Sequence, residues 1–371
     1  MTVVDTPAVV MGGVPITRRG LLGAAAAVPL LPVLAACGGS GGEPAGTGTV
    51  DQVTWLTTLG QTPREAYAWV AQAKGFFAEA DLEVQIQPGA AGEANYTALA
   101  GGAVDFAGVD CSGAFIRYVN GVDTGFQVVA AVQQLWPMAL LGYADEGLIR
   151  PRDLNGATIG LLAGTIAERL WPTYAALTPG VDPDTVTVVP TSGDTQVGEL
   201  VAGRLDAIAL FAVSAPGLAR AGGGREVSVL PWADALGDLY GNAVITRSEL
   251  AADNPDLVRR FTGALLRGLA YTLEYPEEAG QILHEAVPEQ DPQVAAEEII
   301  LLRDYCYGGL GSDQPLGLME PERVAKAMAL LSAVGEITED FNQVLPAPGG
   351  DPAHGVVNFA LVPGTGQEAG R

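Results

Sequence analysis

From Val50 onward the apolar positions alternate between two periods. Val50 to Thr57 is a short β-branched run centred on Trp55 and reads as a strand. Thr62-Pro63-Arg64-Glu65 then has the chemistry of a helix start. Thr62 suits the N-cap, Pro63 the first helical position, and Glu65 can reach back to complete a capping box. The predicted helix runs to about Lys74, where Gly75 stops it. Leu82-Glu83-Val84-Gln85-Ile86 alternates with the period of a half-buried strand. The alternation resumes with a strand at Thr158–Leu161 and a helix opened by Gly164-Thr165-Ile166-Ala167-Glu168. A strand at Val186–Pro190 then leads through Thr191-Ser192-Gly193-Asp194 into a helix that reaches Leu200. Strand–helix alternation predicts parallel sheets covered on both faces, with ligands beyond the carboxyl ends of the strands.

From Asn254 the pattern turns helical. Asn254-Pro255, Asp291-Pro292 and Glu320-Pro321 each read as a cap followed by proline at the first helical position. Phe261, Leu265, Leu269 and Leu273 share one helical face, which reads as core. These helices are expected to pack on a first lobe.

A repeat accompanies the alternation. Leu99-Ala100-Gly101-Gly102-Ala103-Val104-Asp105-Phe106-Ala107 is echoed, 101 positions later, by Leu200-Val201-Ala202-Gly203-Arg204-Leu205-Asp206-Ala207-Ile208. Each copy reads as a helix ended by glycine, a tight turn and a buried strand. Two similar α/β lobes are the simplest account.

The segment before Val50 has a different character. Arg18-Arg19 precedes an apolar run that ends in Leu34-Ala35-Ala36-Cys37-Gly38. A positive start, an apolar stretch and small residues at a cleavage point are the parts of an export signal, and the paired arginines fit the twin-arginine type. The run is too short for a membrane span of about 20 residues and carries Pro29 and Pro32. Residues 1–36 are therefore expected to be a signal peptide. Its ending resembles a lipobox, with Cys37 acylated. Residues 37–49 are then a flexible tether, and the protein is held by lipid on the extracytoplasmic face of the cell membrane.

Composition narrows the partners. Nineteen Lys and Arg against 43 Asp and Glu give a net charge of −24, which argues against nucleic acid. Cys111 and Cys306 could form a disulfide in an oxidising compartment or remain two buried thiols. His284 and His354 are far apart in sequence, and no HExxH, CxxC, GxSxG or GxxxxGK string occurs. No metal, cofactor or catalytic residue is expected.

The order Tyr67-Ala68-Trp69-Val70-Ala71-Gln72-Ala73-Lys74-Gly75-Phe76-Phe77 to Leu82-Glu83-Val84 resembles the start of a known family. These are the solute-binding proteins that serve ABC importers of sulfonates, nitrate and thiamine pyrimidine precursors. Leu99–Asp110, Asp153–Gly164, Leu200–Phe211, Tyr240-Gly241-Asn242, Asn254–Phe261 and Pro315–Arg323 continue the likeness. The resemblance implies an α/β two-lobe clamp of the periplasmic-binding-protein type (type II), with mixed, mostly parallel sheets and a helical C-terminal region. It implies lobe 1 from residues 50–138 plus 245–371, lobe 2 from 139–244, and chain crossings near Gln134–Tyr143 and Tyr240–Ile245. It also implies a monomer that closes on a small molecule and presents it to an ABC permease, with no catalysis. Fungal pyrimidine synthases related to this family use their own histidine and a cysteine-rich motif, and here only Cys111 lies near the expected cleft.

Candidate ligand contacts are the loops at strand ends. In the first lobe these are Trp55, Thr57, Gln61, Asp110, Cys111 and Ser112, with Tyr67 on a helix face that reaches the cleft. Gln134 and Trp136 belong to one crossing and Asn242 to the other. Gly164, Thr165, Asp194 and Phe211 come from the second lobe. Trp55 also suits a core, Asp110 and Asp194 also suit N-caps, and Trp136 before Pro137 also suits a stiff crossing. The amides at the Ser112 and Thr165 helix starts could hold an anion or a polar ring edge. No basic residue lies in these loops, whereas aromatic and acidic ones do. That favours a neutral or cationic heterocycle, such as a thiamine-precursor pyrimidine, over a sulfonate, taurine or nitrate. A ligand sensor or a synthase on the same fold are the alternatives.

Overall fold

The first sheet begins with β1 (Asp51–Leu56), the Trp55 run, followed by the alternating strand β2 (Leu82–Gln87). β3 (Phe106–Asp110) and β4 (Phe126–Ala131) follow. The chain then passes to a second sheet with β5 (Met138–Tyr143), β6 (Thr158–Leu162), β7 (Thr187–Thr191), β8 (Ala207–Phe211) and β9 (Val227–Pro231). β10 (Asn242–Arg247) returns to the first. The strand orders are β2-β1-β3-β10-β4 and β9-β5-β8-β6-β7. This is the computed structural model of the chain. It describes residues 50–90, 92–193, 195–308, 314–346 and 350–364. The export signal, Cys37, the tether to residue 49 and Asp194 lie outside the described residues.

The two sheets share one plan. β1 runs parallel to β2 and β3, and β6 runs parallel to β7 and β8. Strand–helix alternation alone predicts parallel pairing throughout. The antiparallel pairings come from the crossing strands: β10 lies between β3 and β4, and β5 between β8 and β9.

The sequence repeat marks equivalent points of the two sheets. Gly102 and Gly203 have φ of 69° and 67°, the left-handed conformation glycine tolerates. Thr54 N–H donates to Asp105 Oδ2 at 2.9 Å and Thr158 N–H to Asp206 Oδ2 at 2.7 Å. The backbone N–H groups of Asp105 and Asp206 return bonds to the carbonyls of Thr54 and Thr158. In each lobe, therefore, the repeated aspartate fastens the turn before a central strand to the neighbouring parallel strand.

Two predicted caps form as expected. Asn254 accepts from Leu257 N–H, and Asp291 accepts from the N–H groups of Gln293 and Val294. Glu320 makes no side-chain cap, although Pro321 opens its helix. The predicted capping box at Thr62 does not form. Pro63–Glu65 is a single 3-10 turn, Thr62 caps nothing with its hydroxyl, and Glu65 Oε2 instead accepts from Tyr67 O–H at 2.8 Å. Burial explains the change, because Glu65 and Tyr67 are both enclosed and satisfy each other.

The helix Pro255–Glu274 buries Phe261, Leu265, Leu269 and Leu273 against the first lobe, as their spacing requires. Phe261 stacks on Phe106 with centroids 3.9 Å apart, and its ring lies 5.9 Å from Phe77 and 5.8 Å from Trp55. Gly268 allows close approach of this helix to the helix Ala66–Ala73: a Cβ there would fall 2.3 Å from the Tyr67 carbonyl oxygen. The helix Pro292–Tyr307 does more than pack on the first lobe. It touches both the Pro63–Glu65 turn and the helix Ala215–Ala221 that follows β8. Cys111 and Cys306 are both buried and unbonded.

Truncating the ring at the centre of this core, Phe261→Ala, is expected to cost about 3–5 kcal/mol. In urea unfolding the midpoint should fall while the slope stays unchanged.

Candidate functional site

The carboxyl ends of β3, β6 and β8, and the loop after β1, open onto a cavity of about 650 Å³. The first lobe contributes Thr58, Thr62, Arg64, Tyr96 and Asp110. The second contributes Met138, Leu162, Thr165, Phe211 and Ser214. Asn242 and Glu298 also line it. The volume falls in the range of small-molecule sites, and the mixture of apolar walls with a few polar groups is typical of them.

The wall after β1 is fastened by Asn95, a buried side chain whose amide donates to the carbonyl oxygens of Thr57 at 3.0 Å, Thr58 at 3.1 Å and Gly108 at 2.8 Å. Thr57 supports the same loop. Its hydroxyl donates to Gly60 O at 2.5 Å and accepts from Gly89 N–H at 2.9 Å. Gly108 leaves room for Thr58, since a Cβ there would lie 2.3 Å from the Thr58 hydroxyl. These contacts place Thr58, Thr62 and Arg64 along one wall. Five buried polar atoms of cavity-lining residues have no hydrogen-bond partner among the described residues: Thr58 Oγ1, Thr62 Oγ1, Arg64 Nη1, Tyr96 O–H and Arg117 Nε. Buried polar groups are normally paired, so five unpaired ones on residues lining one space mark it as a candidate site for a polar molecule.

The charges are balanced. Arg117 forms a two-pronged contact with Glu93 at 2.5 and 3.0 Å, and Arg169 meets Glu336 at 3.2 Å. Arg64 lies 3.8 Å above the Phe211 ring. Burial lowers the Arg64 pKa from its ordinary value, against the opposing pull of Glu65 and Glu298. Burial pushes the Asp110 carboxyl up to about 6, although the Gly113 N–H, the Trp136 indole and the Ser112 N–H favour its anion. Burial likewise raises Glu298 to about 7, with Arg64 pulling the other way.

The pattern of the NMT1/THI5-like family matches residues 62–279, more than half of the chain. The chain belongs to that family. It is 28% identical over 308 residues to the riboflavin-binding protein RibY of Chloroflexus aurantiacus, covering 80% of this chain and 87% of that protein. It is 28% identical over 248 residues to a 4-amino-5-hydroxymethyl-2-methylpyrimidine phosphate synthase of Legionella pneumophila, covering 64% of this chain and 73% of that one. Among solved structures, the periplasmic aliphatic sulphonate binding protein SsuA of Escherichia coli superposes with a TM-score of 0.62 at 13% identity. That match covers 80% of this chain and 97% of SsuA. The two-lobe α/β clamp expected from the resemblance is thus the fold of this NMT1/THI5-like protein.

Five residues expected at the site line the cavity of this family member: Asp110, Gly164, Thr165, Phe211 and Asn242. Others stand behind it. Trp55 is fully buried in the first-lobe core, and Tyr67 is held by Glu65. Thr57 braces the wall, and Trp136 donates its indole N–H to Asp110 Oδ2 at 2.8 Å while packing on Trp232. Gln134 bonds the Leu318 carbonyl and accepts from Arg323, well into the C-terminal segment. Cys111 and Ser112 are buried in the first turn of the helix Cys111–Val119. Gln61 does not line the cavity.

At the two helix starts expected to anchor the ligand, one nearby amide each is taken by a side chain. Asp110 Oδ1 takes the Gly113 N–H at 3.0 Å, and Glu168 Oε2 takes the Gly164 N–H at 2.7 Å. The absence of basic residues from the strand-end loops did not keep arginine out of the cavity. Arg64, Arg117 and Arg169 enter from helical segments instead. Glu298 and Tyr96 were also missed, although each had a sequence signal. Glu298 shares a helix face with Ala295 and Leu302, and Tyr96 shares one with Leu99, so both put a polar atom on a buried stripe.

The raised Asp110 pKa has a definite sign. Between about pH 4 and pH 6 the folded state holds a proton that the unfolded chain releases, so this group's contribution to stability falls as pH rises through that window. Asp110→Asn keeps an N-cap acceptor and removes the titration. The melting temperature of the variant, relative to wild type, is expected to rise between pH 4 and pH 7. A relative fall would show that the carboxylate is stabilised as an anion.

Proposed function

We propose that the protein is an extracytoplasmic solute-binding component of an ABC importer that captures a planar heterocycle of about flavin size. The observation that carries this reading is the cavity of about 650 Å³, enclosed by both lobes and bordered by unpartnered buried donors and acceptors. An aminopyrimidine, a single ring, leaves much of that space empty. A fused ring system with a polar side chain uses it better. The family's RibY relative is a riboflavin-binding protein, which agrees with this choice.

The charge pattern supports a neutral ligand over a sulfonate or nitrate. Arg117 and Arg169 are each matched by a glutamate, and Asp110, Glu298 and Glu93 share the cavity with them. One amide near each of the two helix starts, Gly113 N–H and Gly164 N–H, has a protein partner. A synthase reading lacks its histidine: His284 bonds the Gln290 carbonyl, His354 bonds the Gln343 carbonyl, and neither lines the cavity.

Capture follows from the two-lobe plan. A ligand that settles on one wall is covered as the lobes close, and closure desolvates its ring between apolar walls. In this reading the Arg18-Arg19 export signal and acylation of Cys37 hold the clamp at the extracytoplasmic face of the cell membrane, beside the permease it serves. Among the described residues no helix is long and apolar enough to cross a membrane.

Thermal-shift measurements with riboflavin, 4-amino-5-hydroxymethyl-2-methylpyrimidine, MOPS and nitrate test the reading. Riboflavin at a hundred times its Kd should stabilise the fold by about 2.7 kcal/mol. Phe211→Ala should weaken its binding about tenfold. A response to MOPS or nitrate alone would replace the heterocycle with an anion, and a response to none of the four would reject the receptor assignment. In cells, Cys37→Ala should move the protein from the membrane fraction to the soluble one. Unchanged membrane retention would reject the lipid anchor.

A further inference from the structure

Unlike Arg117 and Arg169, Arg64 and Glu298 form no ion pair among the described residues, although the adjacent Glu65 and then Glu298 act on the Arg64 charge. Arg64 is 5% exposed, and its Nη1 has no hydrogen-bond partner among the described residues. One face of its guanidinium is covered by Phe211 of the second lobe, at 3.8 Å. Glu65, its sequence neighbour, is engaged by the Tyr67 hydroxyl and does not line the cavity. Glu298 is 7% exposed and borders the same space from the helix Pro292–Tyr307. The Gly217 N–H faces it from the second lobe, and it feels the Arg64 charge. The cavity therefore places a fixed donor and an acceptor together, both shielded from water. A buried donor left unpaired is costly, so an acceptor on the ligand recovers what the protein itself leaves unsatisfied.

We propose that Arg64 and Glu298 read one edge of the ligand ring, Arg64 donating to a ring carbonyl and Glu298 accepting from the adjacent ring N–H. The ligand class is then a heterocycle with a lactam or cyclic imide edge, as in flavins and pyrimidinediones. This deepens the receptor reading and rests on it. An anion such as a sulfonate satisfies Arg64 but offers Glu298 no N–H to accept from. An amino-pyrimidine edge presents a ring nitrogen to Arg64 and an amino N–H to Glu298, so the pair does not reject it, and the size of the cavity disfavours it instead. The pair therefore selects against anions, which leave Glu298 without a donor.

The test compares riboflavin with 3-methylriboflavin, whose imide N–H is replaced by a methyl group, by fluorescence titration of the purified chain. Wild type should bind the methylated compound about tenfold or more weakly. Glu298→Met should shrink that discrimination to less than about twofold, and Arg64→Met should weaken riboflavin itself about tenfold or more while keeping the discrimination. Circular dichroism shows whether the variants fold. If either does not, the comparison of the two flavins on wild type still decides, because it changes only the ligand. Equal wild-type binding of the two flavins overturns the edge-reading role and leaves the receptor reading intact. Binding of MOPS or nitrate with no binding of either flavin overturns both.

Discussion

The two crossings between the lobes run side by side, and the rest of the structure is arranged around that contact. Val132 and Gln133 donate to the Asn242 carbonyl, Gly241 donates to the Gln133 carbonyl, and the Gln133 side chain accepts from Asn242 N–H. Gly241 is required there, because a Cβ would fall 2.3 Å from Gln133 Oε1. From this knot β5 enters one sheet and β10 the other, each antiparallel to its neighbours. The sheets are thereby joined by two adjacent, mutually hydrogen-bonded segments at the edge of the cavity.

The knot is braced from outside. Gln134 and Leu135 donate to the Tyr305 carbonyl at the end of the helix Pro292–Tyr307, and Arg323 reaches Gln134 from the C-terminal segment. The same helix supplies Glu298 to the cavity and packs on the second lobe. Asp110 performs three tasks at one place: it caps the helix after β3, receives the Trp136 indole from the crossing, and faces the cavity. Residues that border the cavity thus also belong to the connection between the two sheets.

The balance of charge within the cavity has a similar logic. Arg117 is paired with Glu93, a contact open to solvent on the glutamate side. Arg64 is buried and forms no ion pair among the described residues. Its aromatic partner and nearby carboxylates lower the cost of burial without supplying a hydrogen bond to Nη1. Local rules broken inside a binding space are where function is expected to reside.

Much of the architecture was legible in the chain because it rests on local periodicity. The Leu82–Ile86 alternation, the Phe261–Leu273 stripe and the Asn254 and Asp291 caps depend on neighbours within a few residues, and each appears where the pattern placed it. The repeat of Leu, Gly and Asp at a fixed offset declared two similar lobes, since the same turn needs the same residues twice. What the tertiary structure decided are contacts between distant segments. Trp55 looked as suitable for a ligand as for a core until the helix Pro255–Glu274 covered it. Thr62 and Glu65 looked like a reciprocal cap until burial gave Glu65 to Tyr67. Arg64, Tyr96 and Glu298 lie more than 30 residues from one another along the chain, and no local period brings them together. Only the folding of two sheets and a C-terminal helix around one space makes them a site, because side chains from separate elements converge only after the backbone has been placed.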